Sequence, residues 1–145
     1  MRSERDVLNK FLKDNNLKVT RQRDVILDEF LKTEKHISAE ELYKIVRKKD
    51  KGVGQATVFR AVKTFVDAGL AEPVAFTEKT IKYEHKYNHN HHDHLICHDC
   101  GAIVEFSDDR IEKLQESICK NNGFMIRSHR LEIFGECGEC RKKSK

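Results

Sequence analysis

The amino-acid sequence predicts an α+β protein in which an N-terminal winged helix is followed by a small C-terminal α/β domain. Hydrophobic spacing is helical over residues 1–70 and changes to short strand-like runs beyond them. The charge changes as well, because residues 1–70 carry sixteen Lys/Arg against eleven Asp/Glu, whereas residues 71–140 carry eight against thirteen. Periodicity disappears near residues 84–90, which divides the chain into domains 1–84 and 85–145.

Four helices are predicted in the first domain. The first has apolar side chains at helical spacing over residues 7–12, and the second begins after Thr20, which can cap a helix N-terminus. Ser38 and Glu41 predict a capping box at the start of the third helix. The fourth helix is predicted over residues 55–68 and is joined to the third by the short segment KGVG.

A β-hairpin is predicted after the fourth helix, with strands at residues 71–76 and 80–85 around a TEKT turn. Two helices joined by a short turn and followed by such a hairpin form the pattern of a helix-turn-helix with a wing. The polar face of the fourth helix would then be presented to DNA. That face carries Thr57, Arg60 and Lys63. The alternative is a small helical bundle that binds no partner.

The second domain is predicted to contain two short strands, a helix and a final strand. The segment at residues 94–106 indicates two strands around a tight Cys-x-x-Cys turn. Residues 107–123 indicate a helix with Ser107 as its N-cap, and residues 124–137 indicate a strand. The acidic charge and the many His and Cys residues of this half favour divalent cations, whereas the basic first half favours a polyanion. Two ordinary solvated surfaces remain the alternative.

Two Cys-x-x-Cys pairs predict a structural zinc site. Four thiolates at this spacing suit a tetrahedral Zn(II), and they favour zinc over a redox or disulfide function. The four ligands would be Cys97, Cys100, Cys137 and Cys140. The fifth cysteine, Cys119, lies near an apolar helical stripe, which predicts a buried free thiol.

The stretch HNHHDHLICHDC at residues 89–100 contains more histidine than the zinc site needs. Residues 89–94 match the H-x-H-x-D-H signature of metallo-β-lactamase-type hydrolases, so a metallo-hydrolase is a second hypothesis. That fold is larger and places further histidines well downstream, whereas only His98 and His129 follow here. We therefore expect no enzyme activity.

The chain shows no signal-peptide pattern and no apolar run of about 18 residues, so we expect a cytoplasmic protein without a membrane segment. In that reducing compartment cysteines are expected to bind metal rather than to form a disulfide framework.

Several segments together resemble the ferric uptake regulator family over essentially the whole chain. They are LKVTRQR, HISAEELYK, GQATVFRAV, KYEH, HHDHLICHDCG, VEFSDD, SHRLEIFGEC and the final C-x-x-C. The resemblance implies a metal-activated transcriptional repressor that works as a homodimer or a tetramer. It implies that the winged helix binds an AT-rich inverted repeat in double-stranded DNA and that the C-terminal α/β domain dimerises.

The resemblance also implies particular site residues. The structural zinc site would be the four cysteines already named. A regulatory metal site at the domain junction would use His36, Glu84, His92, His94 and Glu105. An additional metal site would use His91, Asp93, Glu112 and His129. The DNA contacts would fall on Lys18, near the minor groove, and on Thr57, Phe59 and Arg60.

Four residues fall outside or depart from the family pattern. Phe59 stands where the family usually has tyrosine, which keeps ring contact with a thymine methyl group but loses a hydroxyl. His85, His89 and His98 are not matched by the family pattern, and we expect them to be exposed to solvent.

The regulatory cation is expected to be Fe(II), with Mn(II) or Zn(II) as substitutes. Imidazole and carboxylate ligands suit all three ions, so ligand softness does not choose among them. Peroxide-sensing relatives tend to carry aspartate at the position of Glu105, which favours iron sensing here. A zinc-uptake regulator and a peroxide sensor remain the alternatives within the family.

Overall fold

The computed structural model describes residues 2–33, 36–77, 80–87 and 91–143. Its contacts divide the chain into two compact units, Met1–His89 and Asn90–Lys145. Strand pairing in the first unit continues through His85, which lies past the predicted boundary at residue 84. Among the described residues, no helix is both long and apolar enough to span a membrane.

The first unit contains the predicted helices and hairpin and one short additional strand. In chain order its elements are α1 (Glu4–Asp14), α2 (Arg21–Lys32), β1 (Ile37–Ser38), α3 (Ala39–Lys49), α4 (Gln55–Asp67), β2 (Ala71–Thr77) and β3 (Thr80–His85). The two residues between β2 and β3, in the predicted TEKT turn, lie outside the described residues.

Side chains cap three of these helices at their N-termini. Thr20 accepts a hydrogen bond from the N–H of Arg23 at the start of α2, as predicted. Ser38 caps α3 through the Glu41 N–H, but the Glu41 carboxylate accepts from the Ser38 hydroxyl and not from its backbone N–H. The predicted capping box at α3 is therefore incomplete. A full capping box occurs instead at α1, where Ser3 caps the helix and was not predicted.

The four helices pack their apolar faces into one core. The Phe30 and Phe65 rings lie at its centre, with centroids 5.9 Å apart. Both side chains are fully buried. The buried cluster comprises Leu8, Leu12, Ile26, Leu27, Phe30, Ile37, Leu42, Val46, Val53, Val58, Ala61, Val62, Phe65, Leu70 and Ala71. This core holds α4 with its polar face outward.

The hairpin forms a three-stranded antiparallel sheet in the order β1-β3-β2. The register shifts between Pro73 and Ala75, because proline has no N–H to donate to the ladder. The unpredicted strand β1 pairs Ile37 with Tyr83. This pairing places the preceding residue, His36, beside β3.

His85 is not exposed to solvent as predicted. Its Nε2 lies 2.7 Å from the carbonyl oxygen of Phe30, and its ring meets the Phe30 ring edge-on at a centroid distance of 4.7 Å. Phe30 O lies in the last turn of α2, where it also accepts hydrogen bonds from the Thr33 N–H at 3.1 Å and the Thr33 hydroxyl at 2.5 Å. His85 therefore attaches the end of β3 to the end of α2.

The second unit is built on a small mixed sheet in the order β5-β4-β6. In chain order its elements are β4 (Asp93–Cys97), β5 (Ile103–Phe106), α5 (Asp109–Asn121), β6 (Glu132–Gly135) and α6 (Gly138–Lys143). β4 is antiparallel to β5 and parallel to β6. The predicted α+β class with a small C-terminal α/β domain is confirmed.

Two local predictions in the second unit are wrong. The N-cap of α5 is Asp108 and not Ser107, because the Asp108 carboxylate accepts from the N–H of Arg110 at 2.9 Å. The predicted strand over residues 124–137 shrinks to β6, since only those four residues pair with β4. Residues 124–131 form no strand.

The second unit leaves much apolar surface uncovered. Helix α5 is amphipathic, yet none of its residues is buried in this chain. Cys119, predicted to be buried, is only half-buried in this chain. The exposed large apolar side chains of this unit are Leu95, Val104, Leu114, Ile118, Phe124, Met125, Ile126, Ile133 and Phe134. A surface of this kind indicates an interaction face.

Candidate metal centres and nucleic-acid face

The four cysteines of the second unit converge at one end of its sheet. Cys97 ends β4, Cys100 lies in the turn after it, and Cys137 and Cys140 follow β6. The Cys97 and Cys140 Sγ atoms are 3.8 Å apart, and those of Cys100 and Cys137 are 3.7 Å apart. A tetrahedron with Zn–S bonds of about 2.3 Å has S–S edges of about 3.8 Å. The sulfur spacing therefore fits Zn(II), and all four thiols are free.

Backbone geometry builds this cluster. Gly101 has a φ of +76°, which closes the turn so that its N–H reaches the Cys97 carbonyl at 2.9 Å. The His98 N–H donates to the Gly135 carbonyl at 2.7 Å, which joins the turn to the end of β6. Both Cys-x-x-Cys segments are therefore attached to neighbouring strand ends.

The sulfurs also influence one another's protonation. Backbone N–H groups of Cys100 and Cys137 lower the pKa of the Cys97 thiol to about 6. The neighbouring thiols of Cys137 and Cys100 raise the pKa of the Cys140 thiol well above its ordinary value. Four sulfurs this close cannot all be thiolates without a compensating cation, and Zn(II) would supply that charge.

A second cluster in the same unit combines two imidazoles with two carboxylates. His91 Nε2 lies 3.1 Å from Asp93 Oδ1 and 2.9 Å from His129 Nε2. Glu112 Oε1, from the first turn of α5, lies 3.6 Å from His91 Nε2 and 3.3 Å from His129 Nε2. These four residues are the predicted additional site.

The carboxylates of this second cluster fit a cation. The Asp93 side chain is fully buried, and its Oδ2 has no hydrogen-bond partner among the described residues. Glu112 Oε1 is likewise buried without a hydrogen bond among them. Buried carboxylate oxygens that lack a hydrogen bond are costly, and a divalent cation would remove that cost.

The five predicted regulatory ligands are divided between the two units. In the first unit, His36 Nε2 lies 3.0 Å from Glu84 Oε2, and the two side chains are only 12% and 10% exposed. In the second unit, His92 Nε2 lies 3.5 Å from Glu105 Oε1. The His92 and His94 rings are 4.8 Å apart, and His94 is paired with Glu105 across β4 and β5. Each unit thus carries its own half of a mixed imidazole and carboxylate ligand set.

The outer face of α4 carries the predicted DNA contacts. Arg60 and Lys63 are exposed, Phe59 is 41% exposed, and the Thr57 hydroxyl accepts from the Arg60 guanidinium at 3.4 Å. The N-cap of α4, Gly54, provides no side-chain hydrogen bond, and the first turn of the helix contains no acidic residue. Its first N–H groups therefore remain suited to a phosphate.

The other predicted residues are placed as follows. Lys18 is exposed between α1 and α2, and its carbonyl accepts from the Arg23 guanidinium. His98 is exposed, as predicted. His89 lies outside the described residues. A further group of cationic side chains on and after α3 was not predicted from the sequence as a DNA contact. It comprises Lys44, Arg47, Lys48 and Lys51, of which the first three recur at helical spacing.

Comparison with known proteins places these features in one family. The model of the ferric uptake regulator family matches residues 14–134. A ferric uptake regulation protein of Bordetella parapertussis is 41% identical over 132 residues, 90% of this chain and 94% of that protein.

Solved structures agree. The ferric uptake regulator of Helicobacter pylori, with three functional metal-binding sites, matches with a TM-score of 0.80 at 29% identity over 97% of this chain and 95% of that one. The Francisella tularensis ferric uptake regulator with iron matches with a TM-score of 0.75 at 33% identity over 86% and 95%.

Proposed function

The chain belongs to the ferric uptake regulator family, and from this premise we propose that it represses iron-uptake genes when Fe(II) binds. Members of this family are metal-responsive transcriptional regulators. The observation that carries the proposal is the mixed His and carboxylate ligand set, because part of it lies in the same unit as the winged helix. A ligand set shared between the DNA-binding unit and its neighbour can make DNA affinity depend on metal.

We infer that one cation takes ligands from both units. His36 and Glu84 would provide the ligands of the DNA-binding unit, and His92, His94 and Glu105 those of the other. Such a cation would be satisfied in one relative orientation of the two units. If that orientation presents two α4 helices to successive major-groove faces, metal binding and DNA binding become thermodynamically linked.

The identity of the cation rests on two arguments. Imidazole and carboxylate ligands accept Fe(II), Mn(II) and Zn(II), and affinity alone favours the later metals in that series. Glu105 stands at the position where peroxide-sensing relatives tend to carry aspartate. In addition, the Francisella tularensis ferric uptake regulator has been solved with iron. Fe(II) is therefore the proposed signal, and a zinc-uptake regulator is the second candidate.

The other two clusters have different proposed roles. The four cysteines would hold a structural Zn(II) that stabilises the second unit. His91, Asp93, Glu112 and His129 would hold a further cation wholly inside that unit, so this cation would affect DNA binding less.

The second unit would join two copies of the chain. Its exposed apolar side chains on α5 and the following segment supply a surface that a monomer would leave in water. A homodimer has two-fold symmetry, which matches an inverted repeat in the operator. An AT-rich operator, and a tetramer formed from two such dimers, belong to the same proposal.

Titration of operator binding with metal tests the function directly. We expect zinc to remain bound at about one per chain through the thiolates. Under anaerobic conditions Fe(II) should raise operator affinity by about 5- to 150-fold, the usual range of allosteric coupling. Mn(II) should substitute for Fe(II). A response to Zn(II) at concentrations where Fe(II) has no effect would identify the zinc-uptake regulator instead.

Arg60→Ala and Lys18→Ala should both weaken operator binding, because each removes an exposed cation from the winged-helix unit. The Lys18 variant should also reduce the slope of log affinity against log salt by about one. Zinc content and dimerisation should match the parent protein. Lys120→Ala, on α5 of the other unit, is the control. Unchanged affinity in both Arg60→Ala and Lys18→Ala would remove this DNA-binding face.

A further inference from the structure

Four cations line one open concavity at the end of α3. They are Lys44, Arg47, Lys48 and Lys51, and together we call them the basic stripe. All four are exposed, and of the residues that the structure describes, none that lines the concavity with them is a carboxylate. Among the described residues, none of the four side chains takes part in an ion pair.

Helical geometry aligns the stripe on the side of α3 opposite the core. Lys44, Arg47 and Lys48 follow the i, i+3, i+4 spacing that places side chains on one face. The buried residues of the same helix, Leu42 and Val46, point the other way into the cluster shared with α4. The stripe therefore faces solvent while its helix is held rigidly against α4.

Helix stability does not explain this arrangement. Cations in a last helical turn interact favourably with the helix dipole, which accounts for Arg47, Lys48 and Lys49. Lys44 lies before that turn and Lys51 lies after the helix. Moreover, Lys44 and Lys48 are like charges at i and i+4, which destabilises a helix slightly. The stripe is better suited to an external polyanion.

The stripe ends beside the start of the proposed recognition helix. Lys51 is three residues before Gly54, the N-cap of α4, and the turn between them is fixed by the hydrogen bond from the Val53 N–H to the Asp50 carbonyl at 3.3 Å. In helix-turn-helix proteins the N-terminal residues of the second helix reach the bases, and the first helix crosses the sugar-phosphate backbone. In this fold α3 is that first helix.

We propose that the basic stripe binds the phosphodiester backbone of DNA next to the bases reached by α4. This proposal rests on the proposed DNA-binding function and extends the contact surface beyond α4 and Lys18. The stretch from Lys44 to Lys51 spans roughly 10 Å at 1.5 Å per residue, which is long enough to reach more than one phosphate of a strand. Such contacts add affinity without base specificity.

The test compares two double variants of the full-length, metal-loaded protein. Lys44→Gln/Lys48→Gln removes two stripe charges, and Lys49→Gln/Lys120→Gln removes two exposed charges elsewhere. Lys49 is the matched control because it neighbours Lys48 on the same exposed turn but points about 100° away around the helix. Glutamine keeps helix propensity close to that of lysine, so both variants should fold, retain zinc and dimerise.

We expect the stripe variant to bind operator more weakly, by about tenfold near 0.1 M salt for each phosphate that it no longer neutralises, as counterion release requires. Its slope of log affinity against log salt should fall by about two per bound chain, and random-sequence DNA should show the same reduction. Extending the operator duplex at its flanks should strengthen parent binding more than variant binding. The control variant should match the parent in all three measurements.

A stripe variant with the parent's salt slope on both operator and random DNA would overturn the proposal. So would an equal loss of affinity in the control variant, because the effect would then follow net charge and not position. Arg60→Ala separates this outcome from failure of the proposed function. If Arg60→Ala weakens metal-dependent operator binding while the stripe variant does not, DNA binding stands and only the stripe assignment falls. A parent protein without metal-dependent operator binding would overturn both.

Discussion

Cys97→Ser should abolish zinc binding and unfold the second unit. Among the described residues of that unit, only Ile96 and Cys97 are buried apolar residues, so burial of apolar surface stabilises it little. A unit of this size usually needs a metal, a disulfide or an oligomer partner to be stable. Structural zinc contributes about 10 to 16 kcal/mol of binding free energy in zinc-finger peptides. Loss of one thiolate should therefore remove more folding free energy than the burial of apolar side chains within the unit contributes.

Metal analysis, circular dichroism and sedimentation measure this loss. We expect Cys97→Ser to lose its zinc, part of its secondary structure and its dimer together. Cys119→Ser makes the same chemical change outside the four-sulfur cluster, and it should keep all three properties. A Cys97→Ser protein that is zinc-free, folded and dimeric would refute the structural zinc assignment.

His36→Ala should lose most of the metal-induced gain in operator affinity while the protein keeps its zinc and its dimer. Of the imidazoles in the proposed regulatory set, only His36 belongs to the DNA-binding unit, where it lies 3.0 Å from Glu84. Without it, the metal would hold that unit through a single carboxylate. The expected loss approaches the full coupling of about 1 to 3 kcal/mol.

Glu112→Ala provides the comparison for this variant. Glu112 belongs to the cluster formed entirely within the second unit, so its removal should reduce the metal-induced gain less than removal of His36. Operator binding with and without Fe(II) should be measured for both variants and the parent, together with zinc content. A His36→Ala protein that responds to metal like the parent would place the switch elsewhere.

Much of the first unit could be predicted from the sequence because its helices depend on interactions between residues close together in the chain. Helical spacing and caps such as Thr20 act within a few residues, so α1 to α4 and the hairpin could be placed from the sequence. The strand β1 was missed because its pairing with β3 joins residues far apart in the chain. His85 was misjudged for the same reason, since its partner is the Phe30 carbonyl at the end of α2.

The second unit was predicted less well in its details. Ser107 and Asp108 are both good N-cap residues and adjacent, so the sequence alone does not decide between them. The length of β6 depends on how many residues of β4 remain available for pairing, which is a tertiary property. The four cysteines could be grouped from the sequence because a tetrahedral zinc site restricts ligand spacing and chemistry, whereas the His and carboxylate sets were implied by the resemblance to the family and not by spacing.

The central claim, that one regulatory cation couples the two units to DNA, is tested most directly by measuring Fe(II) affinity with and without operator DNA. The measurement uses zinc-loaded parent protein under anaerobic conditions. Linkage is reciprocal, so operator DNA should tighten Fe(II) binding by the same factor, about 5- to 150-fold, by which Fe(II) tightens operator binding. In His36→Ala both factors should fall together toward one. Fe(II) affinity that operator DNA leaves unchanged in the parent protein would contradict the account.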